Sequence, residues 1–451
     1  MSVSRGAGAK APVAIAPGAP VLPGESPFPV KAARSRFPAL REAGDRECFF
    51  DNAAGAQVPD EVLDAVRTHL LKRNVQRGGR YRMSREVDAQ IAETRRLIAH
   101  FLNAAGPEEI VFGLNATNLI RSIAEAARPL LQPGDRVVVT NLDHEANVEP
   151  WLRLERDGVT PVFWSVRGTE ARLELDDLRA ILGSAGGPVR LVAMPLASNA
   201  IGRIPDVSGA ARIAREAGAL LFVDAVHFAP HDRIDVQALG ADFLVFSAYK
   251  IFGPHMGFLW GRAESLRRLT PAREFFVPEV APDAFEGGTQ SFEAIAGVAG
   301  ALRYLASLGD SDAAGASAAA RATVAAPDSL REPLRRGMER IRAYEKTLAA
   351  ALLRELRAVP GVAILGDDDP EQVGARVPTI AFTIGGRTPR EIVEHLAKHS
   401  IHARDGHMYT PRLIEAAGLD PKTGVARVSL CHYNTLAEIA RFGETLRLLA
   451  T

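Results

Sequence analysis

The sequence predicts an α/β fold, with a mainly parallel sheet flanked by helices on both faces and a smaller C-terminal α+β unit. Three observations predict it. Short apolar runs alternate with helical stretches over residues 51–260. The texture changes after residue 330, where one long helical stretch leads into further short strands. The chain has 451 residues, 47% of them hydrophobic, which at roughly 100–200 residues per domain is enough for two or three cores.

Taken in order, residues 1–30 hold six prolines and four glycines, with no aromatic before Phe28. That composition buries no core, so a disordered tail is expected over 1–32. Its prolines also interrupt any apolar signal-peptide segment. Buried strands are expected at RVVVT (136–140), PVFWSV (161–166), RLVAMP (190–195), ALLFVD (219–224) and DFLVFS (242–247). Between them lie helical stretches such as 206–217, with Val207, Ala210, Ala211 and Ala214 on one face. These elements define an expected large domain over 33–305. A small domain over 306–451 follows, with an alanine-rich insertion near 309–327, a helix at about 336–357, strands near 361–365, 378–384 and 426–431, and helices near 388–398 and 435–449. Two unequal domains leave a cleft for a ligand.

Composition narrows the function classes. Fifty-four basic residues balance 54 acidic ones, which removes the electrostatic case for nucleic acid or an anionic membrane surface. No apolar run reaches the roughly 18 residues needed to span a bilayer. Two cysteines, Cys48 and Cys431, are too few for a secreted disulfide scaffold, and a reducing, cytoplasmic setting is expected. No metal site is expected.

The chemistry concentrates in FVDAVHFAPHDRIDVQALGADFLVFSAYKIFGPH (222–255). Asp224 ends one strand, and Lys250 follows another after Ser247, Ala248 and Tyr249. In a doubly wound sheet ligands collect at the carboxyl ends of strands, so the acid and the amine can meet over one ligand. A Schiff-base lysine with an acid for a pyridine nitrogen is what pyridoxal phosphate chemistry needs. By spacing alone, the more ordinary reading of the two residues is as solvated or capping groups.

Several further stretches occur in a fixed order: FFDNAAGAQVP (49–59), LDHEANVEPW (142–151), ASNAIGRIPDV (197–207) and RVSLCHYNT (427–435). With 222–255 they make the chain resemble the class V aminotransferase family of pyridoxal phosphate enzymes, and most closely its cysteine desulfurase branch. The resemblance covers about 37–449, the insertion excepted. It implies the fold-type I architecture, pyridoxal 5'-phosphate as cofactor, an amino acid as substrate and a homodimer with shared active sites.

Residue by residue, the resemblance implies that Lys250 carries the cofactor and later moves protons at the substrate Cα. Asp224 pairs with the pyridinium nitrogen, His227 meets the ring hydroxyl, and His144 stacks on the ring; in isolation His144 reads first as a helix cap. Phosphate belongs where amides converge on a helix N-terminus, here GLNATNLIRSIAEAA (113–127) with Ala116 and Thr117. Ser247 and Tyr249 match further phosphate contacts, although many relatives have histidine at the Tyr249 position. Thr289, in FEGGTQ (285–290), matches a residue that reaches the neighbouring subunit's phosphate; taken alone, the segment is only a turn. Arg427 matches the arginine for the substrate carboxylate, a group suited to a planar guanidinium. Asn199 matches a residue near both ring and substrate, and Arg77 in QRGG matches an active-site arginine.

The pattern breaks at one loop. Desulfurases carry a nucleophilic cysteine in a segment much like RTGHHC, whereas this chain has RDGHMY (404–409), with Tyr409 in the cysteine's place. Tyrosine cannot carry a persulfide. Cys431 lies four residues beyond Arg427, on the same strand face but roughly 13 Å away at the usual rise, and Cys48 reads as a small buried hydrophobe. A C–S lyase that eliminates a β-substituent from a cysteine-like substrate needs no such thiol. A class V aminotransferase, an amino-acid epimerase and an inactive cofactor-binding scaffold remain open beside it.

Overall fold

The computed structural model describes residues 28–309 and 325–450. Most of the expected tail and insertion therefore lies outside the described residues. The helix Val30–Arg34 begins inside the segment that composition assigns to the tail. Its anchor is Phe28, whose ring stacks on Tyr344 at 4.8 Å.

The described strands are, in chain order, β1 (Cys48–Phe49), β2 (Ile110–Gly113), β3 (Arg136–Thr140), β4 (Thr160–Trp164), β5 (Val189–Pro195), β6 (Leu220–Asp224), β7 (Phe243–Ser247), β8 (Gly257–Gly261), β9 (Val362–Leu365), β10 (Thr379–Ile384), β11 (Ile401–His402), β12 (Arg404–Gly406) and β13 (Val425–Ser429). Seven form the central sheet in the order β2-β8-β7-β6-β5-β3-β4. Its strands run parallel except β8, which is antiparallel to both neighbours.

Burial on both faces explains the continuous apolar runs. Val138, Val223, Leu244 and Phe246 join one core, while Val137, Phe222, Phe243 and Val245 join a second. The helix Val207–Glu216 packs into the first through Val207, Ala210, Ala211 and Ala214. The helix Ala116–Ala127 packs into the second through Leu119, Ile120 and Ile123. The sequence pattern missed β2, four residues ending in Gly113, and β8, five residues that begin and end in glycine.

The C-terminal unit holds an antiparallel sheet, β12-β13-β10-β9, covered by helices Arg331–Arg357, Pro389–Lys398 and Leu436–Ala450. The long helix starts earlier than its apolar spacing indicates, and a turn at Pro327–Leu330 leads into it. Strand β1 pairs in parallel with β11, Cys48 opposite Ile401, so Cys48 and Phe50 pack into the C-terminal core. The segment after β1 then returns to the central sheet, which leaves Asp51, Ala53 and Ala54 at the junction. No helix among the described residues is long and apolar enough to cross a membrane.

Candidate active site

Because β2, β3, β5, β6 and β7 run the same way, their carboxyl ends share one sheet edge, where ligands of such sheets bind. A cavity of about 630 Å³ opens there, walled on the far side by the C-terminal unit. Ala116 and Thr117 reach it after β2, His144 after β3, Asn199 after β5, Asp224 and His227 at the end of β6, and Ser247, Tyr249 and Lys250 after β7. Arg427 comes from β13. Ten of the twelve residues singled out by sequence thus line one cavity.

Lys250 is buried, and its Nζ donates hydrogen bonds to the carbonyls of Ala53 and Ala54, the latter at 2.8 Å. Burial and the neighbouring Arg427 guanidinium push its pKa down to about 7. Much of the amine is therefore unprotonated and nucleophilic near neutrality. Asp224 accepts the Val226 amide at 2.8 Å, and burial pushes its pKa up to about 6. The adjacent Asp143 accepts the His144 amide at 2.9 Å and the Asn147 side chain at 2.7 Å. Burial, with Asp224 nearby, raises its pKa well above the carboxylate range. A cationic ring nitrogen placed against this pair would restore the ionised form.

His144 performs the capping role that sequence allows: its Nδ1 accepts the Ala146 amide at 2.9 Å. Burial, reinforced by Lys250 and Arg427, pushes its pKa down to about 4, so the ring is neutral and its proton sits on Nε2. His227 bonds Thr379 Oγ1 through Nε2 at 3.0 Å. At the helix start, the Ala116 amide donates to Ser247 Oγ at 3.1 Å and Asn115 caps the Asn118 amide at 2.9 Å. Gly257 of β8 permits this closeness, because a Cβ there would lie 2.4 Å from Asn115 C. The helix N-terminus, Ser247, Tyr249 and His255 make a cradle for a compact anion.

Arg427 Nη2 pairs with Asp51 Oδ1 at 3.0 Å, and Nη1 donates to the Asn199 carbonyl at 2.9 Å. Its buried Nε has no hydrogen-bond partner, an unspent donor that suits an incoming carboxylate. Arg404 lies directly across from Arg427 on β12 and holds the same Asp51 at 2.8 Å.

Two residues lie elsewhere in the chain. Arg77 is exposed and paired with Asp88 at 3.3 Å, and Thr289 is exposed on its turn, outside this cavity. Cys431 falls beyond the end of β13, so the strand geometry that aligned it with Arg427 does not extend that far. Its thiol is buried outside the cavity lining, and burial raises its pKa well above the usual range. It clusters with His231 and Glu345, whose side chains are bonded at 2.7 Å.

Sequence reasoning missed Asp51, Asp143, His255 and Arg404. Asp51 occurs within a stretch that carries the resemblance and Arg404 opens the loop where the pattern breaks, but nothing local marks either as a partner of Arg427. His255 stacks on Tyr249 at 4.8 Å and supplies an imidazole beside that phenol.

Comparison with known proteins agrees with this geometry. The class-V aminotransferase model matches residues 48–330 and 322–442. The aminotransferase-like protein FGM3 of Gibberella zeae is 33% identical over 94% of this chain and 99% of its own length. A probable cysteine desulfurase of Mycolicibacterium paratuberculosis is 30% identical over 94% of this chain, which spans 58% of that protein. The apo structure of the cysteine desulfurase from Thermococcus onnurineus superimposes with a TM-score of 0.80 at 26% identity, covering 93% of this chain and 98% of that one. With a family match along most of its length and a lysine, an acid and an anion cradle gathered at one sheet edge, this chain belongs to the class-V aminotransferase family as a cysteine desulfurase-like, pyridoxal phosphate-dependent enzyme.

Proposed function

We propose that the enzyme is a C–S lyase that eliminates the sulfur substituent from a cysteine-like amino acid. The observation that carries this reading is the position of the thiols. Tyr409 lines the cavity where a nucleophilic cysteine would be needed, and both cysteines are buried outside it. Elimination requires a base at Cα, an anchor for the carboxylate and a proton for the departing sulfur, and the lining residues include a candidate for each.

The donor set fits pyridoxal phosphate. Lys250 would hold its aldehyde carbon, Asp224 its ring nitrogen, and His227 its ring hydroxyl. The phosphate would sit on the Ala116–Thr117 amides, Ser247 and Tyr249. When bound, the cofactor supplies an electron sink for charge developing at Cα. Arg427 and Asn199 orient the substrate through its carboxylate. The Lys250 amine accepts the α-proton, a role favoured by its depressed pKa. The Cα–H electron pair forms the Cα–Cβ double bond as the Cβ–S bond breaks. The proton that Lys250 takes from Cα would pass to the leaving sulfur, and His144, neutral with its proton on Nε2, would hydrogen-bond that sulfur without giving the proton up.

A homodimer completes this reading. Thr289, exposed on the single chain, would then reach the phosphate of a neighbouring subunit's site. Two free, buried thiols agree with a cytoplasmic setting.

The test is to incubate the holoenzyme with L-cysteine, cystine and S-substituted cysteines and to assay pyruvate, ammonium and released thiol. Stoichiometric pyruvate and thiol without added keto acid is the expected result. Amino transfer that requires a keto acid and releases no thiol overturns it in favour of an aminotransferase.

A further inference from the structure

Among the described residues, Tyr409 is the one exposed large hydrophobic side chain that also lines the cavity, and it is 59% exposed. Its backbone is held in an unusual state. Met408 and Tyr409 lie consecutively in the left-handed region, at φ +52° and +59°. Non-glycine residues persist there only where their surroundings over-determine the chain. Here they do. Asn199 Nδ2 donates to the Met408 carbonyl at 2.7 Å, and the Glu145 amide donates to the Tyr409 carbonyl at 2.9 Å. The Tyr409 amide donates to His407 Nδ1 at 3.0 Å, and the Met408 side chain is buried. The strap is thus tied to residues that flank the reacting centre. It presents a phenol ring 5.3 Å from the His144 ring, at an interplanar angle of 33°.

Charge points the same way. Lys250, Arg404 and Arg427 are the Lys and Arg side chains lining the cavity. Asp51 is shared by Arg404 and Arg427, which neutralises one of the two guanidinium charges. With Lys250 committed to the cofactor and His255 to the anion cradle, the remaining guanidinium charge is matched by a substrate's α-carboxylate. His144 and His227 are neutral, so a second acidic group on the substrate finds no further cation beside them and is desolvated without compensation.

We propose that Tyr409 is a specificity-determining residue that selects substrates whose side chain carries an uncharged aromatic group. The natural class is then S-aryl or S-arylalkyl cysteine conjugates rather than free cysteine or acidic amino acids. The sulfur in that class rests on the C–S lyase reading; the aromatic preference rests on Tyr409 alone. The aromatic group packs on the phenol face, and offset ring pairs of this kind discriminate against aliphatic groups of similar position. The conjugate takes up one water overall. The thiol leaves with one proton, and the three-carbon remainder is released as pyruvate and ammonium.

The experiment measures two quantities on the holoenzyme. One is the half-saturation of the ligand-induced change in visible absorbance; the other is thiol release. The probes are S-benzyl-L-cysteine, S-methyl-L-cysteine, S-carboxymethyl-L-cysteine and L-phenylalanine, which has no sulfur to expel. The wild type is expected to saturate with S-benzylcysteine and phenylalanine at concentrations at least about tenfold below the other two. Tyr409→Phe retains that ratio, and Tyr409→Ala collapses it while the visible absorbance of the bound cofactor persists. Equal saturation by S-benzyl- and S-carboxymethylcysteine overturns the proposal, as does a Tyr409→Ala variant that keeps the preference. Preferential binding of the aromatic probes with no thiol released sinks the lyase reading but supports aromatic selection. Thiol release at equal efficiency from every conjugate does the reverse.

Discussion

At the scale of single residues, the amine at the centre of the site owes its reactivity to its surroundings. Lys250 is enclosed by Ala53, Ala54 and Tyr249 and faces Arg427, so its charged form is poorly solvated and repelled. A depressed lysine pKa means that the neutral, nucleophilic form dominates from about pH 7 upward instead of from above 10.5. Reconstitution of the apoenzyme with pyridoxal phosphate should therefore speed up as pH rises through a midpoint near 7, followed by stopped-flow visible absorbance. Arg427→Gln removes the second-largest cause and should move that midpoint upward. Lys250→Ala should give no pH-dependent phase. The opposite logic applies to Asp224, whose pKa is raised by burial and is lowered again by any cation brought to it.

At the scale of elements, the site depends on where strands stop. Parallel strands that end at Asp224 and Ser247 place an acid and a lysine-bearing turn side by side, and the helix Ala116–Ala127 starts against the same edge. The contact between β8 and that helix start tolerates no side chain at Gly257. A Cβ there would lie 2.4 Å from Asn115 C and 2.8 Å from Ala116 N, which are backbone atoms that cannot rotate away. Gly257→Ala should displace the helix N-terminus from Ser247 and weaken cofactor binding by about tenfold or more, equivalent to about 1.4 kcal/mol. Titration of the apoprotein with pyridoxal phosphate measures this. Unchanged affinity would show that the cradle does not depend on this close approach. The elements themselves were largely legible in sequence. Five strands of the central sheet and the helix Val207–Glu216 match runs visible in the chain, because strands buried on both faces read as unbroken apolar segments. Strands β2 and β8 escaped notice because IVFG and GFLWG each hold only three apolar residues, too few to carry a pattern.

At the scale of the whole molecule, a cluster of apolar side chains stands in solvent next to the turn that carries Thr289. Phe275 is 94% exposed, Phe276 72% and Val280 62%. Apolar surface of this kind marks an interaction face, and a second copy of the chain is the proposed occupant. Sedimentation should give twice the 48.4 kDa chain mass. The double substitution Phe275→Ser, Phe276→Ser should shift the species toward monomer, and cofactor retention should fall with it if Thr289 serves the neighbouring site. A wild type that sediments as a monomer with full activity would remove Thr289 from any shared site.

The sequence by itself determined the α/β class, the positions of Asp224 and Lys250 at the ends of apolar runs and the presence of Tyr409 in the loop. These are properties of local pattern, that is, apolar periodicity, the residues that end each run and residue identity in ordered motifs, whereas the joining of Asp224 and Lys250 over one ligand came from the family resemblance and not from spacing. Only the tertiary structure decided that Asp51 is held by both Arg404 and Arg427, that Cys431 is sealed outside the cavity, and that Arg77 stands away from it. Asp51 and Arg427 are 376 positions apart and meet at 3.0 Å. Charge pairing, burial and the pKa values that follow from them depend on distance through space, and linear spacing carries no measure of it.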